Sequence, residues 1–283
     1  MATVEDEFRQ DLAERPTKFV FVVGSGVPMG AVAGQLASLA SWTGLLKAGL
    51  VRAHEIQPFA PLTLASYQQL LASPDDTTAL VSVATAVTQR LGAPTGGPFR
   101  LWLRNTVGAF ADNLGDVAVL DAIALHQKRG VIVATTNYDH ALERRTGLTP
   151  TTWRDVNGLQ RAISGTENRI IHLHGEWSQP DSIILDQKSY SEVLRDPAAQ
   201  TALASLRWTS AFVFIGCGAG LSDPNRGGFI KWSAEKFPDL ETRPGTYVPR
   251  QTHDCDAAEL VRRHCRASSR ASRRADRVRC PSS

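Results

Sequence analysis

The sequence predicts an α/β fold: a parallel sheet with helices on both faces and a helical insertion. Three observations carry this. Short, wholly apolar runs recur, such as Phe19-Val-Phe-Val-Val23, Val131-Ile-Val-Ala134 and Ala211-Phe-Val-Phe-Ile215, and strands buried on both faces are typical of parallel sheets. Between them lie segments with apolar residues three and four apart, so strand and helix alternate. Each run also gives way to glycine or polar residues, and ligands of such sheets bind beyond the carboxyl ends of the strands.

Taken in order, residues 1–14 form a short amphipathic helix, ended by Pro16 because the residue before proline is pushed out of helical geometry. The first strand, 18–23, stops at Gly24-Ser25-Gly26. After a Gly- and Ala-rich stretch, residues 35–48 read as one helix with Trp42, Leu45 and Leu46 on one face. Helical segments 62–72, 78–91, 99–113 and 117–127 make up the insertion, about residues 61–129; Asp116 suits the N-cap of the last. The second strand, 131–134, runs into Thr135-Thr-Asn-Tyr-Asp139, and the short helix 140–146 closes at Gly147. A third strand, 170–173, ends in His174-Gly175, and 182–185 is a short fourth. Residues 187–206 are helical with a break near Pro197. The strand 211–215 enters Gly216-Cys217-Gly218, and 229–237 is helical. Together these elements give a Rossmann-like layering.

The 283 residues allow one large or two small domains, and 42% apolar content excludes long disorder or a collagen-like fibre. No apolar run is long enough for a transmembrane helix, and the acidic, helix-like N-terminus does not read as a secretory signal. The net charge of +3 is unevenly spread. Residues 1–240 hold 21 Lys and Arg against 23 Asp and Glu, whereas residues 241–283 hold ten Arg, no Lys and five acids. The pI of 8.8 therefore gives the folded part no basis for binding nucleic acid. Three of four cysteines, Cys255, Cys265 and Cys280, also lie in this tail, and no CxxC pair occurs. A zinc ribbon is excluded, no metal is expected, and the body reads as cytoplasmic. Residues 241–283, rich in Arg and Ser with little apolar periodicity, are expected to be largely disordered or translated from a shifted reading frame.

Glycines after a strand let backbone approach a ligand and aim N–H groups at phosphate, which makes Gly24-Ser25-Gly26 a phosphate-loop candidate, though the full GxGxxG is absent. In the polar run 135–139, Asp139 or Thr136 could cap the next helix, but capping would explain one polar residue and not five. His172 and His174 alternate with Ile171 and Leu173, so both histidines share one side of the strand. His174 is the better placed to act, because the glycine after it leaves room for a ligand. The two could ligate a metal, but no third ligand is evident nearby.

Gly24-Ser-Gly26 after the first strand, Thr135-Thr-Asn-Tyr-Asp-His-Ala-Leu-Glu143 after the second and His172-Leu-His-Gly175 after the third resemble, in this order, the sirtuin (silent information regulator) superfamily. More specifically, they look like bacterial sirtuin-like domains that hydrolyse NAD in anti-phage defence. Ser41-Trp-Thr-Gly-Leu-Leu46 fits their first helix. Phe212-Val-Phe-Ile-Gly-Cys-Gly218 with Leu221-Ser-Asp-Pro-Asn225 is similar to their final nucleotide-binding loop. The resemblance spans residues 19–237 and implies that residues 1–240 form an NAD-binding domain.

The resemblance also implies a role for each matching residue. Gly24, Ser25 and Gly26 hold the NAD diphosphate, with Thr136 also touching the dinucleotide. Asn137 holds the nicotinamide ribose and orients the attacking water. Asp139 contacts the nicotinamide amide, and His174 acts on the ribose hydroxyls. Gly216 and Gly218 meet the adenosine side. Pro28 stands where the family usually carries serine, and the deacylase branch's CxxC zinc module is missing, so deacylation is not expected. The implied activity is hydrolysis of NAD to ADP-ribose and nicotinamide, in a homo-oligomer or with a defence partner. A non-catalytic nucleotide sensor is the alternative, followed by a deacylase or ADP-ribosyltransferase.

Overall fold

A parallel sheet organises the computed structural model, which describes residues 4–72 and 77–217. Its strands are β1 (Phe19–Val23), β2 (Ile132–Thr135), β3 (Thr149–Thr152), β4 (Arg169–His172) and β5 (Ala211–Ile215), in the order β3-β4-β2-β1-β5. All four pairings are parallel, with Val22 opposite Ala134 on one side and Phe214 on the other. The predicted α/β architecture is present, with helices on both faces.

The two-residue period sorts the strands into two cores. Phe19, Phe21, Val23, Val133, Ile170, Val213 and Ile215 pack on one face against α1 (Val4–Glu14), α2 (Gly26–Ala31), α8 (Ala118–Lys128) and α9 (Ala141–Thr146). Val20, Val22, Ala134, Ile171 and Phe212 pack on the other against α10 (Val156–Ser164) and α12 (Pro197–Thr209). A separate helical core joins α4 (Trp42–Ile56), α5 (Pro61–Ala72), α6 (Thr77–Leu91) and α7 (Gly97–Asn105). It is centred on Leu46, Val83, Val87, Phe99, Leu103 and Phe110, and it reaches the sheet end through Tyr138, Ile183 and Leu185. Among the described residues no helix is long and apolar enough to cross a membrane.

Several elements depart from the sequence-based expectation. Residues 35–48 are not one helix: α3 (Gln35–Leu39) ends, and α4 starts afresh because Ser41 Oγ accepts the Gly44 N–H at 3.0 Å and donates to Ser38 O. The predicted helix 99–113 stops at Asn105 and continues as a 3₁₀ turn, Val107–Asp112. The N-cap position of α8 is Val117 and not Asp116, although Asp116 Oδ1 accepts the Ala118 N–H. Three elements, α2, β3 and α10, are not predicted at all. β3 contains Pro150 but lies at the sheet edge, where the missing N–H costs no ladder bond. α10 is capped by Asp155 and closed by Gly165 at φ +71°.

Residues 182–185 are not a strand. Pro180–Ser182 is a 3₁₀ turn, and the next three residues are buried between two clusters, Ile183 and Leu185 in the helical core and Ile184 beside Trp153. Their apolar character comes from that double burial and not from a ladder. As predicted, the 187–206 helix breaks at Pro197, giving α11 (Gln187–Arg195) and α12.

The ends of β1 and β5 meet backbone to backbone. Gly24 N–H donates to Ile215 O at 2.9 Å and Gly26 N–H to Gly216 O at 2.8 Å. Gly216 has φ +65°, and a Cβ there would sit 2.6 Å from Val27 N. Gly216→Ala should therefore cost about 2–3 kcal/mol from positive-φ strain and backbone collision, read as a lower urea midpoint at unchanged m.

Candidate active site

The polar run after β2 is held at nearly every backbone group. Thr135 is buried, and its Oγ1 donates to Val23 O at 2.9 Å while accepting the Asn137 N–H at 3.0 Å. Thr136 N–H donates to Val23 O, and Leu173 N–H to Thr135 O at 2.8 Å. The Asn137 carbonyl lies 2.9 Å from His172 Nδ1. Tyr138 O accepts the Trp177 N–H, and the Tyr138 hydroxyl donates to Ile184 O at 2.8 Å. Asp139 Oδ1 accepts the Ala141 N–H at 2.9 Å, one residue before the His140 N-cap of α9. One group stands outside this scheme: among the described residues the Asn137 carboxamide has no hydrogen-bond partner.

Ser25, Thr136, Asn137, Asp139 and His174 line a single cleft between the strand ends and the helical core. Leu39, Ser41, Trp42, Leu45, Val107, Phe110 and Tyr138 contribute to its walls. Residues from three strand ends thus converge from well-separated parts of the chain. Gly24, Gly26 and Gly216 lie beside it, but the Gly24 and Gly26 N–H groups are engaged with β5. Gly218, residues 221–225, the helix expected over 229–237 and the tail 241–283 lie outside the described residues.

The two histidines have different surroundings. His174 is buried beyond β4, its ring 6.4 Å from that of Tyr190 and its carbonyl accepting the Ile184 N–H. The glycine after it does not open space for a ligand. Gly175 has φ +82°, and a Cβ there would collide with the Ser182 carbonyl, so the residue is required by the passing chain. His172 ends β4 and is wholly buried, with Nε2 2.7 Å from Glu143 Oε1.

Sequence reasoning missed the buried acids behind the cleft. Glu143 pairs with His172. Glu176, fully buried, holds His140 Nε2 at 2.8 Å and accepts from both the Ser178 N–H and hydroxyl. The one available signal was that Asp139 and Glu143 lie four apart at the start of a helix, hence near each other; their partners are remote in sequence.

These contacts set the charges. Burial pushes the Asp139 carboxyl up to about 6, with Glu143 adding to the rise and the Ala141 N–H opposing it. Burial alone would lower His172, but the Glu143 carboxylate outweighs it and holds the imidazole above its ordinary range. Glu176 is brought down to about 2: burial opposes this, and the bonds from His140 and Ser178 prevail.

Asp139 is therefore a costly residue at neutral pH. Its folded value exceeds 3.8, so the stability from its protonation is complete below about pH 4 and lost as pH rises through about 6. Asp139→Asn should stabilise the protein by about 1–3 kcal/mol at pH 8, a gain that shrinks toward zero near pH 4. Thermal melts of both proteins across that range provide the check.

Residues 131–268 match the family model of the SIR2-like domain. The matched span includes Thr136, Asn137, Asp139, Glu143, His172 and His174, and it begins after Gly24-Ser25-Gly26.

Proposed function

The chain carries a SIR2-like domain, which ties it to NAD-dependent chemistry, and on that premise we propose that it is an NAD glycohydrolase releasing nicotinamide and ADP-ribose. The observation that carries this reading is the Asn137 carboxamide, lining the cleft without a partner among the described residues while its backbone is anchored on both sides. A side chain with no structural bond, on a locked backbone, suits a group reserved for substrate or water.

In the proposed reaction the C1′–N bond of the nicotinamide ribose breaks and its electron pair leaves with nicotinamide, discharging the pyridinium. The ribose gains oxocarbenium character, which nearby polar and anionic groups stabilise. Asn137 orients the water that adds to C1′, and His174, acting on the ribose hydroxyls, accepts or relays the proton released. Asp139 meets the nicotinamide amide. Ser25 and Thr136 contact the diphosphate side, with Gly24 and Gly26 beside them, and Gly216 and Gly218 meet the adenosine side. Residues 1–240 act as the NAD-binding domain, and 241–283 as an appended tail. The biological setting we favour is a cytoplasmic anti-phage effector, working as a homo-oligomer or with a partner protein.

The test is to incubate the purified full chain with NAD and resolve the products by chromatography. Equal amounts of nicotinamide and ADP-ribose are expected. NAD binding without turnover would instead make the protein a sensor, and ADP-ribose covalently attached to protein would make it a transferase.

A further inference from the structure

Behind the cleft lies a buried pair with no part in the reaction above, Glu143 on α9 and His172 at the end of β4. We propose that this pair is a positioning device for Asn137: His172 clamps the Asn137 carbonyl, Glu143 orients His172, and together they hold the Asn137 carboxamide in the cleft. The proposal rests on the reading of Asn137 as the residue that orients the attacking water.

Both imidazole nitrogens are committed. Nδ1 lies 2.9 Å from Asn137 O and Nε2 lies 2.7 Å from Glu143 Oε1. A carbonyl only accepts, so Nδ1 carries a proton; an ionised carboxylate only accepts, so Nε2 carries one as well. The geometry fits an imidazolium against the Glu143 carboxylate, in agreement with the upward shift of His172. The other groups facing it are the Glu176 carboxylate, which favours the cation, and the His140 ring 6.0 Å away, itself paired with Glu176. Asp139 also senses the charge of His172.

The consequence for Asn137 comes through its backbone. Its N–H is anchored by Thr135 Oγ1 and its C=O by His172, so the peptide planes on either side of its Cα are both fixed. Without the second anchor those planes can turn, and the carboxamide swings with them. Misplacement by about 1 Å costs about a hundredfold in rate.

Three variants separate positioning from simple packing. His172→Phe fills the space but donates nothing. His172→Asn restores an amide donor close to the Nδ1 position. Glu143→Gln removes the charge while leaving a neutral partner. Nicotinamide release should fall about a hundredfold in kcat for His172→Phe with KM for NAD within about threefold, and His172→Asn should recover to within about tenfold of wild type. A purely structural role would lower the two variants alike, with their melting temperatures.

Nitrogen NMR supplies readouts that need no turnover. In wild type at pH 8, His172 should be doubly protonated, and in Glu143→Gln it should become neutral with the proton on Nδ1. The Asn137 side-chain amide signals should move or broaden in His172→Phe and return in His172→Asn. Unperturbed Asn137 amide signals in His172→Phe, or a wild-type His172 protonated only on Nε2, would overturn the proposal. If wild type releases no nicotinamide while these NMR results hold, the glycohydrolase reading fails and the clamp stands.

Discussion

Asn137→Ala should lower nicotinamide release from NAD by about 10²–10³-fold, the loss seen when one preorganised polar group is taken from a reacting centre. The same substitution should move the melting temperature by less than about 2 °C, since a side chain without a structural bond changes stability by only about 0.5 kcal/mol. The pairing of these two outcomes is specific. The Asn137 backbone bonds to Thr135 and His172 survive in alanine, and its carboxamide has no hydrogen-bond partner among the described residues to lose. A general weakening of the fold would reduce both quantities together. Turnover measured at saturating NAD beside a thermal melt separates the cases.

Glu176→Ala should show the converse, a large loss of stability. The carboxylate is fully buried and accepts from His140, the Ser178 N–H and the Ser178 hydroxyl, while its own N–H donates to Ser182 Oγ. Removing it leaves a partly buried imidazole beside Trp177 and an unpaired Ser178 N–H. Breaking a buried pair from one side costs about 3 kcal/mol or more, which should appear as a lower urea midpoint. The pH dependence has a definite sign. Because Glu176 is lowered from 4.5 to about 2, its contribution is complete above about pH 5 and lost as pH falls toward 2. The difference between wild type and variant should narrow over that window.

Much of this is legible in the sequence, for physical reasons that differ by element. The runs that form β1, β2 and β5 are apolar throughout because both sheet faces are covered. β3 is not visible, since Thr-Pro-Thr-Thr carries no buried-strand signature and its pairing to β4 depends on an edge position that only tertiary structure creates. α10 has its Asp155 cap and Gly165 stop in plain view, but it is only nine residues long. Residues 182–185 read as a strand because the burial of 183–185 between two clusters imitates one.

At the site, Asn137, Asp139 and His174 are marked by their places just past the strand ends, and the parallel topology brings them to one cleft. The buried layer behind them leaves no such mark. Glu143, His172 and Glu176 acquire meaning only through contacts spanning about thirty residues of chain. Thr135 reads as one member of a polar run, whereas its hydroxyl fixes that run to β1. The glycines are the least legible, since Gly26, Gly175 and Gly216 are each required by neighbouring backbone.

The central claim is that this cleft hydrolyses NAD through Asn137 and His174. Nicotinamide release from NAD, measured side by side for wild type, Asn137→Ala, His174→Ala and the double variant, tests it most directly. Turnover in wild type, its loss in each single variant and no further loss in the double variant is the predicted result. Undiminished turnover in both single variants, or none in the wild type, would contradict it.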